Sequence, residues 1–142
     1  MPLLRSSHEL TYAAAEIIVQ ACLAKATEIK VPQCIAVVDT GGRLLAFARM
    51  DGAKFHAQHS ATNKAVTAAS TRGATGAAPQ DFGVNLSLAT GGMTTNLKGG
   101  LPILRDGQLI GAVGIGSGTG EQDVEVAQAG LDALEKALAG EK

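Results

Sequence analysis

The sequence predicts an α+β fold in which helices pack on an antiparallel sheet of about five strands. Short apolar, partly β-branched runs occur in two pairs, and the loop within each pair is too short for a crossover helix, so the paired strands run antiparallel. Stretches with helical periodicity precede, separate and follow the two pairs. This alternation of hairpins and helices is typical of helices layered on an antiparallel sheet and not of a doubly wound parallel sheet.

The first helix is expected over residues 7–29, because Ser6 and Glu9 have capping-box spacing and Pro32 marks its end. His8 would lie in its first turn. The apolar positions that recur at helical spacing are Leu10, Ala14, Ile17, Ala21 and Ala24. Strands are predicted over residues 34–38 and 43–49, joined by the turn Asp39-Thr40-Gly41-Gly42.

A second helix is expected over residues 54–70, with two neighbouring stripes. The more apolar stripe is predicted to face the core and contains Phe55, His59, Thr62, Val66 and Ala69. The other stripe is rich in hydroxyl and amide groups and is predicted to line a polar cavity; it contains His56, Ser60, Asn63, Thr67 and Ser70. The spacing His56-x-x-His59 is a weak metal motif without a third ligand, and no metal site is predicted.

The segment from Gly73 to Lys98 is rich in alanine, threonine and glycine. Pro79-Gln80-Asp81 is expected to start a short helix toward Leu88. A fifth strand is placed near residues 93–97. Long connections of this kind are often functional lids or interface arms.

The second hairpin spans residues 101–104 and 109–115 around an Asp106-Gly107 turn and leads into a glycine-rich turn. Thr119 and Gln122 have capping-box spacing, so the last helix should begin near Thr119 and end at Gly140. Its expected core face is Val124, Ala127, Leu131, Leu134 and Leu138. Free amides at such a helix start suit a carboxylate or phosphate, whereas the acidic side chains of Glu121 and Asp123 would compete with that anion.

The glycine-rich turn does not fit the known glycine motifs. No G-x-G-x-x-G register or βαβ unit is present, and no Gly-Lys-Ser/Thr follows, which excludes a Rossmann fingerprint and a P-loop. Ser117 stands one place away from a nucleophile elbow, and no histidine follows it in the chain.

The composition further narrows the classes of protein to which the chain can belong. At 142 residues the chain is expected to be one domain, residues 1–142, with 46% hydrophobic but only 3% aromatic residues. A net charge of −1 argues against nucleic acid or an anionic membrane as partner. No signal-peptide pattern stands at the N-terminus, so we expect a cytoplasmic protein. Its two cysteines, Cys22 and Cys34, should be reduced and buried.

Several ordered blocks together resemble a known family. The first hairpin carries Val37-Val38-Asp39-x-Gly41-Gly42-x-Leu44 and Ala46-Phe47-x-Arg49-Met50-Asp51-Gly52-Ala53. The later blocks are Lys64-Ala65-x-Thr67-Ala68, Gly99-Gly100-x-Pro102-Ile103, Gly111-Ala112-Val113-Gly114 and Gly120-Glu121-Gln122-Asp123. From about Leu10 to Leu138, these blocks resemble the GlcG/HbpS-like family, often labelled haem-degrading.

The resemblance implies a profilin-like α+β fold and a large homo-oligomer, for which the octamer that many family members form is the expected state. It also implies haem-binding relatives and a relative fused to a cobalamin adenosyltransferase. Family members usually carry Val-Ser-Gly-Gly where this chain has Ile115-Gly116-Ser117-Gly118. The hydroxyl has thus moved by one position, which at a strand end is the opposite face.

The first functional hypothesis, implied by the resemblance, is a haem- or tetrapyrrole-binding protein, with haem breakdown as a further activity to be tested. Its cofactor would be haem, with an axial histidine chosen from His8, His56 and His59. Arg49 or Lys64 would pair with the propionates.

The second hypothesis is a cofactor-independent catabolic enzyme acting on a small organic acid, in a pocket at a subunit interface. Arg49 and Lys64 would hold the carboxylate, and His56 or Asp123 would move protons. Backbone amides from Gly116 to Gly120 would stabilise an oxyanion. The predicted ligand-binding set also includes Gly116, Ser117, Gly118 and Glu121.

A third hypothesis is a non-catalytic partner or scaffold protein. In that case Asp39 and Asp51 cap turns, and Lys64 is a solvated surface charge.

Overall fold

The computed structural model describes residues 1–141, so Lys142, the last residue of the predicted domain, lies outside the described residues. No helix in this part of the chain has the length and apolar character that a membrane span requires. The elements in order are α1 (Tyr12–Glu28), β1 (Cys34–Val38), β2 (Leu44–Arg49), α2 (Ala57–Thr71), α3 (Gln80–Ala89), β3 (Gly100–Arg105), β4 (Gln108–Gly116) and α4 (Gly120–Ala139).

The strands form an antiparallel sheet in the order β2-β1-β4-β3. Both predicted hairpins are present, and β1 pairs with β4 to join them. The predicted α+β class with an antiparallel sheet is therefore confirmed. The fifth strand is wrong: residues 93–97 form no strand, and the backbone N–H of Thr95 donates instead to the Thr67 hydroxyl of α2 at 2.9 Å.

Helices cover both faces of the sheet. On one face α1 and α4 pack over branched side chains of the central strands, which include Ile35, Val37, Val113 and Ile115. On the other face α2 lies against the sheet through alanines, namely Ala57, Ala61, Ala65 and Ala68 on Ala36 and Ala112. The second interface is thinner, because the small alanine side chains allow the helix backbone to lie close to the strands.

The first helix begins later than predicted. Thr11 is its N-cap and accepts a hydrogen bond from the Ala14 amide at 3.2 Å, so Ser6 caps nothing and His8 lies in a non-helical, exposed segment. The predicted core stripe is also displaced, since Ile17 is 39% exposed. The buried positions are Ala15, Ile18, Val19, Cys22 and Ala26.

The predicted core face of the second helix is correct at Val66 and Ala69, which pack in the alanine cluster, and wrong at its start. Phe55 precedes the helix and is 78% exposed, and His59 lies on the exposed side. The core side is the alanine face, because bulkier side chains would hold α2 away from the sheet. The threonine at position 62 bonds back to the Gln58 carbonyl at 2.9 Å.

The segment from Gly73 to Lys98 contains the predicted short helix, α3, and is tethered by polar side chains. Asn96 exchanges two hydrogen bonds with the backbone of Ala78. The Thr75 hydroxyl donates to the Leu97 carbonyl and accepts from the Gly100 amide, at 2.5 and 2.9 Å. These bonds fix the approach to β3 and thereby the position of Leu97 and Lys98.

The closest approach of α2 to the sheet is at Gly114 of β4. A Cβ there would overlap the carbonyl oxygen of Ala61 and lie 2.5 Å from the amide nitrogen of Ala65. A glycine at this position is therefore required for the observed helix-to-strand distance.

We expect Gly114→Ala to lower the free energy of unfolding by about 1–3 kcal/mol, because the added methyl group overpacks a close backbone contact. Urea denaturation followed by circular dichroism measures the change. Gly73→Ala is the matched control, since a Cβ there has its nearest neighbour, the Thr71 hydroxyl, 4.0 Å away. Equal stability of the two variants would contradict this account of the interface.

Candidate functional site

A charged cleft lies at the end of the sheet where β4 stops and α4 begins. At this end Cys34 of β1 pairs with Gly116 on one side and with Arg49 on the other. The start of α2 and the residues before β3 close the cleft, which has a volume of about 190 Å³. Its walls are Lys54, His56, Ser60, Lys64, Leu97, Lys98, Ser117, Gly118, Gly120 and Asp123.

The cleft contains a buried ion pair between Lys64 of α2 and Asp123 of α4. The side chains are 5% and 2% exposed, and the ammonium nitrogen lies 2.8 Å from the Oδ2 atom of Asp123. The same ammonium donates to the Ile115 carbonyl of β4 at 2.7 Å. The interpretation of Lys64 as a solvated surface charge is wrong, because three elements converge on its amine.

Asp123 also stabilises the glycine-rich turn. Its Oδ1 atom accepts the backbone N–H of Gly118 at 3.0 Å. Burial raises the pKa of the Asp123 carboxyl, and the hydrogen bond and charge of Lys64 offset part of that rise. The carboxylate is therefore held in a poorly solvated site where its ionisation depends on its partner.

The glycine-rich turn leaves fewer free amides than predicted. The capping box at Thr119 and Gln122 is present, so the predicted start of α4 is confirmed. The amide of Thr119 donates to the Gln122 side chain at 2.9 Å, and that of Gly118 is taken by Asp123. Because these donors are occupied, an oxyanion site built on the amides from Gly116 to Gly120 loses two of its groups.

Ser117 has an unusual backbone conformation for a residue with a side chain. Its φ is 94°, in the region that favours glycine. The Ser117 hydroxyl accepts the backbone N–H of Lys54 at 2.9 Å, which ties the turn to the start of α2. Such strained residues are concentrated at functional sites.

Gly116 is buried behind the cleft and does not line it. A Cβ at this position would lie 2.9 Å from the hydroxyl oxygen of Ser60. The Ser60 hydroxyl thus occupies the space beside Gly116 and presents a polar group to the cleft. The polar stripe of α2 lines this cleft only through His56 and Ser60, since Ser70 lies exposed outside it.

The three histidines do not converge. His56 is exposed at the edge of the cleft, and its ring meets that of Phe55 edge-on with centroids 6.2 Å apart. His59 and His8 are exposed elsewhere and do not line the cleft. Within residues 1–141 no three histidine, cysteine or acidic side chains are grouped to hold a metal ion.

Arg49 and Glu121 stand outside the cleft walls. Arg49 is exposed at the end of β2 beside Cys34. Burial raises the pKa of the Cys34 thiol, and the charge of Arg49 opposes that rise. Glu121 forms an exposed ion pair with Lys98 at 3.6 Å, at the mouth of the cleft.

Sequence reasoning missed several cleft residues. Lys54, Leu97 and Lys98 line it, and Lys98 comes from a segment without a recognisable motif. Gln33 was also missed; its side chain is fully buried, and its carboxamide is near enough to Asp123 to lower the pKa of that carboxyl. A Cβ at Gly118 would lie 2.8 Å from both Gln33 Nε2 and Asp123 Oδ1, so Gln33 lies beside the ion pair.

These residues together define an α+β domain with a charged cleft at one end of its sheet. The family model described as "Haem degrading protein HbpS-like" matches residues 10–132, and the chain belongs to this HbpS-like family. The resemblance drawn from the sequence blocks is thereby confirmed.

Individual relatives agree with this assignment. An uncharacterised 15.0 kDa protein from the dhaT-dhaS intergenic region of Citrobacter freundii is 40% identical over 128 residues, which are 87% of this chain and 90% of the relative. The crystal structure of Klebsiella pneumoniae protein ORFY has a TM-score of 0.87 at 34% identity, covering 95% of this chain and 97% of that one. A crystal structure of a PduOC:heme complex has a TM-score of 0.81 at 29% identity, covering 88% and 94%.

We expect Lys64→Met to lower the free energy of unfolding by about 3–5 kcal/mol at neutral pH, because it leaves the Asp123 carboxylate buried and unpaired. The additional change Asp123→Leu should recover part of this loss. The penalty of Lys64→Met should shrink as the pH falls, since burial raises the pKa of Asp123 and protonation removes the unpaired charge.

Urea denaturation across a pH series measures these differences. Lys25→Met is the matched control, because Lys25 forms more exposed ion pairs with Glu28 and Glu125 at 3.5 and 3.6 Å. That control should cost less than about 1 kcal/mol. If Lys64→Met lowered the free energy of unfolding no more than Lys25→Met does, the buried pair would contribute little to the stability of the fold.

Proposed function

We propose that the chain binds haem or a related tetrapyrrole at the mouth of the cleft, beside His56. The observation that carries the proposal is the likeness to the PduOC:heme complex, a solved structure with haem that covers 88% of this chain. The family's description as haem-degrading points to the same class of ligand.

The chemistry around His56 suits an amphipathic, dianionic ring. The exposed imidazole of His56 would supply a ligand to the haem iron, and the neighbouring Phe55, 78% exposed, would offer an apolar surface to the macrocycle. Lys54 and Lys98 provide ammonium groups at the same cleft for the propionates. We therefore favour His56 over His8 and His59, which have no such neighbours in the cleft.

The size of the cleft implies how the ring would lie. Pockets for drug-sized ligands are typically about 300–1,000 Å³, whereas this cleft has about 190 Å³. A tetrapyrrole would thus lie across the mouth, with its outer face covered by another copy of the chain. This arrangement fits the homo-oligomer, and the octamer, that the family resemblance implies.

Hemin titration followed by absorbance tests the proposal. We expect a saturable Soret shift in the wild type that His56→Ala abolishes. The matched control is His59→Ala, one helical turn further along the same exposed side, together with His8→Ala; both should bind as the wild type does.

Weak, unsaturable binding that no substitution alters would overturn the haem proposal. Loss of binding in His8→Ala or His59→Ala, but not in His56→Ala, would move the site and leave the ligand class standing. The same sample with a reductant in air tests haem degradation, which would appear as progressive loss of the Soret band.

A second candidate function is favoured by the charges of the cleft itself: binding and proton transfer on a small organic acid. Lys54 and Lys98 would hold the carboxylate, the part first expected of Arg49, which lies outside the cleft. Asp123 or His56 would move the proton. No cofactor is required for this chemistry.

Isothermal titration with pyruvate as the probe tests this candidate. We expect saturable binding that Lys54→Gln and Lys98→Gln each weaken about three- to tenfold, as expected for the loss of one hydrogen bond to a charged group. Lys136→Gln, an exposed lysine near the end of α4, is the matched control and should bind pyruvate unchanged. Absence of heat, or equal affinity in all variants, would contradict carboxylate binding in the cleft.

A further inference from the structure

We infer that Lys64 is a nucleophile that forms an imine with the carbonyl carbon of a short oxo acid bound in the cleft. The inference rests on the second candidate function, the binding of a small organic acid, and names its substrate class. It differs from that candidate in giving Lys64 a covalent part, where electrostatic attraction alone would hold a carboxylate.

The amine of Lys64 is buried yet borders the cleft. Two of its three hydrogens are directed to the Ile115 carbonyl and the Asp123 carboxylate, at 2.7 and 2.8 Å. A Cβ at Gly99 would lie 3.0 Å from the Lys64 nitrogen, so the glycine backbone packs beside the amine, while Lys64 also lines the cleft. An ammonium has three donors, and the third remains for a ligand in the cleft.

Asp123, the partner of the Lys64 amine, can act as the acid that imine formation requires. An amine attacks a carbonyl only after losing its proton, and Asp123 stands 2.8 Å away in a poorly solvated site. Burial raises the pKa of the Asp123 carboxyl, so this carboxylate accepts a proton more readily than a solvated one does. The carboxylic acid formed in this way then faces the reacting carbonyl.

The step balances without any co-reactant. The Lys64 nitrogen bonds to the carbonyl carbon, and the carbonyl oxygen takes the proton held by Asp123 to become the hydroxyl of a carbinolamine. The positively charged nitrogen of the carbinolamine then returns one proton to the Asp123 carboxylate. Asp123 protonates that hydroxyl, which leaves as water when the C–O bond breaks, and a C=N bond forms. Hydrolysis reverses the sequence and releases the oxo acid.

The rest of the cleft selects an oxo acid over a simple ketone. Lys54 and Lys98 line the same small space, and a carboxylate next to the carbonyl would pair with Lys54 and compete with Glu121 for Lys98. A volume of about 190 Å³ limits the substrate to a short chain.

Reductive trapping tests the inference in the wild-type protein, with pyruvate as the probe and cyanoborohydride as the reductant. We expect the intact mass to rise by one pyruvic acid less one oxygen atom, with saturation as pyruvate increases. Peptide mapping should place the adduct on Lys64. Acetone, which has the ketone and lacks the carboxylate, is the matched probe and should label Lys64 at least tenfold more slowly.

Variants separate this inference from the candidate on which it rests. Lys98→Gln keeps the nucleophile and should slow labelling of Lys64 by the same factor by which it weakens pyruvate binding. Saturable pyruvate binding without an adduct on Lys64, or with adducts spread over exposed lysines such as Lys136, would overturn the imine and leave carboxylate binding intact. Absence of both binding and adduct would overturn both.

Discussion

The ion pair between Lys64 and Asp123 is the interaction on which the arrangement of the cleft depends. It joins α2 to α4 across the end of β4, and the Ile115 carbonyl holds the same ammonium at 2.7 Å. Asp123 in turn holds the Gly118 amide and thus the turn that precedes α4. Because both charges are buried, removal of either partner leaves the other unpaired, and the geometry of three elements is affected together.

The alanine face of α2 allows this ion pair to form. Lys64 reaches the Ile115 carbonyl only because α2 lies close to β4, and that distance depends on Gly114 and on Ala61 and Ala65 opposite it. Larger apolar side chains at this interface would bury more surface, but they would hold the helix further from the sheet. The alanine face therefore buries less apolar surface than larger side chains would, and in return the Lys64 amine can reach the Ile115 carbonyl.

Local signals in the sequence predicted the elements well and their faces poorly. The Asp106-Gly107 turn and the capping box at Thr119 were correct because each depends on residues adjacent in sequence. The core face of α2 is predicted along the stripe that begins at Phe55 and His59, whereas the close packing on the sheet selects alanines and retains Val66 and Ala69 of that stripe. The pairing of Lys64 with Asp123 could not be predicted, since the partners are 59 residues apart and each alone is typical of a solvated surface.

The two candidate ligands share more chemistry than their names suggest. A tetrapyrrole with propionates and a short oxo acid both present carboxylates, so Lys54 and Lys98 at the cleft would serve either one. The two ligands differ in how deeply they can enter the cleft. A ring can engage only the exposed His56 at the mouth, whereas a small acid can enter as far as Lys64. Substitution of His56 and covalent trapping at Lys64 therefore report on different parts of one cleft, and a protein that binds both ligands would show competition between them.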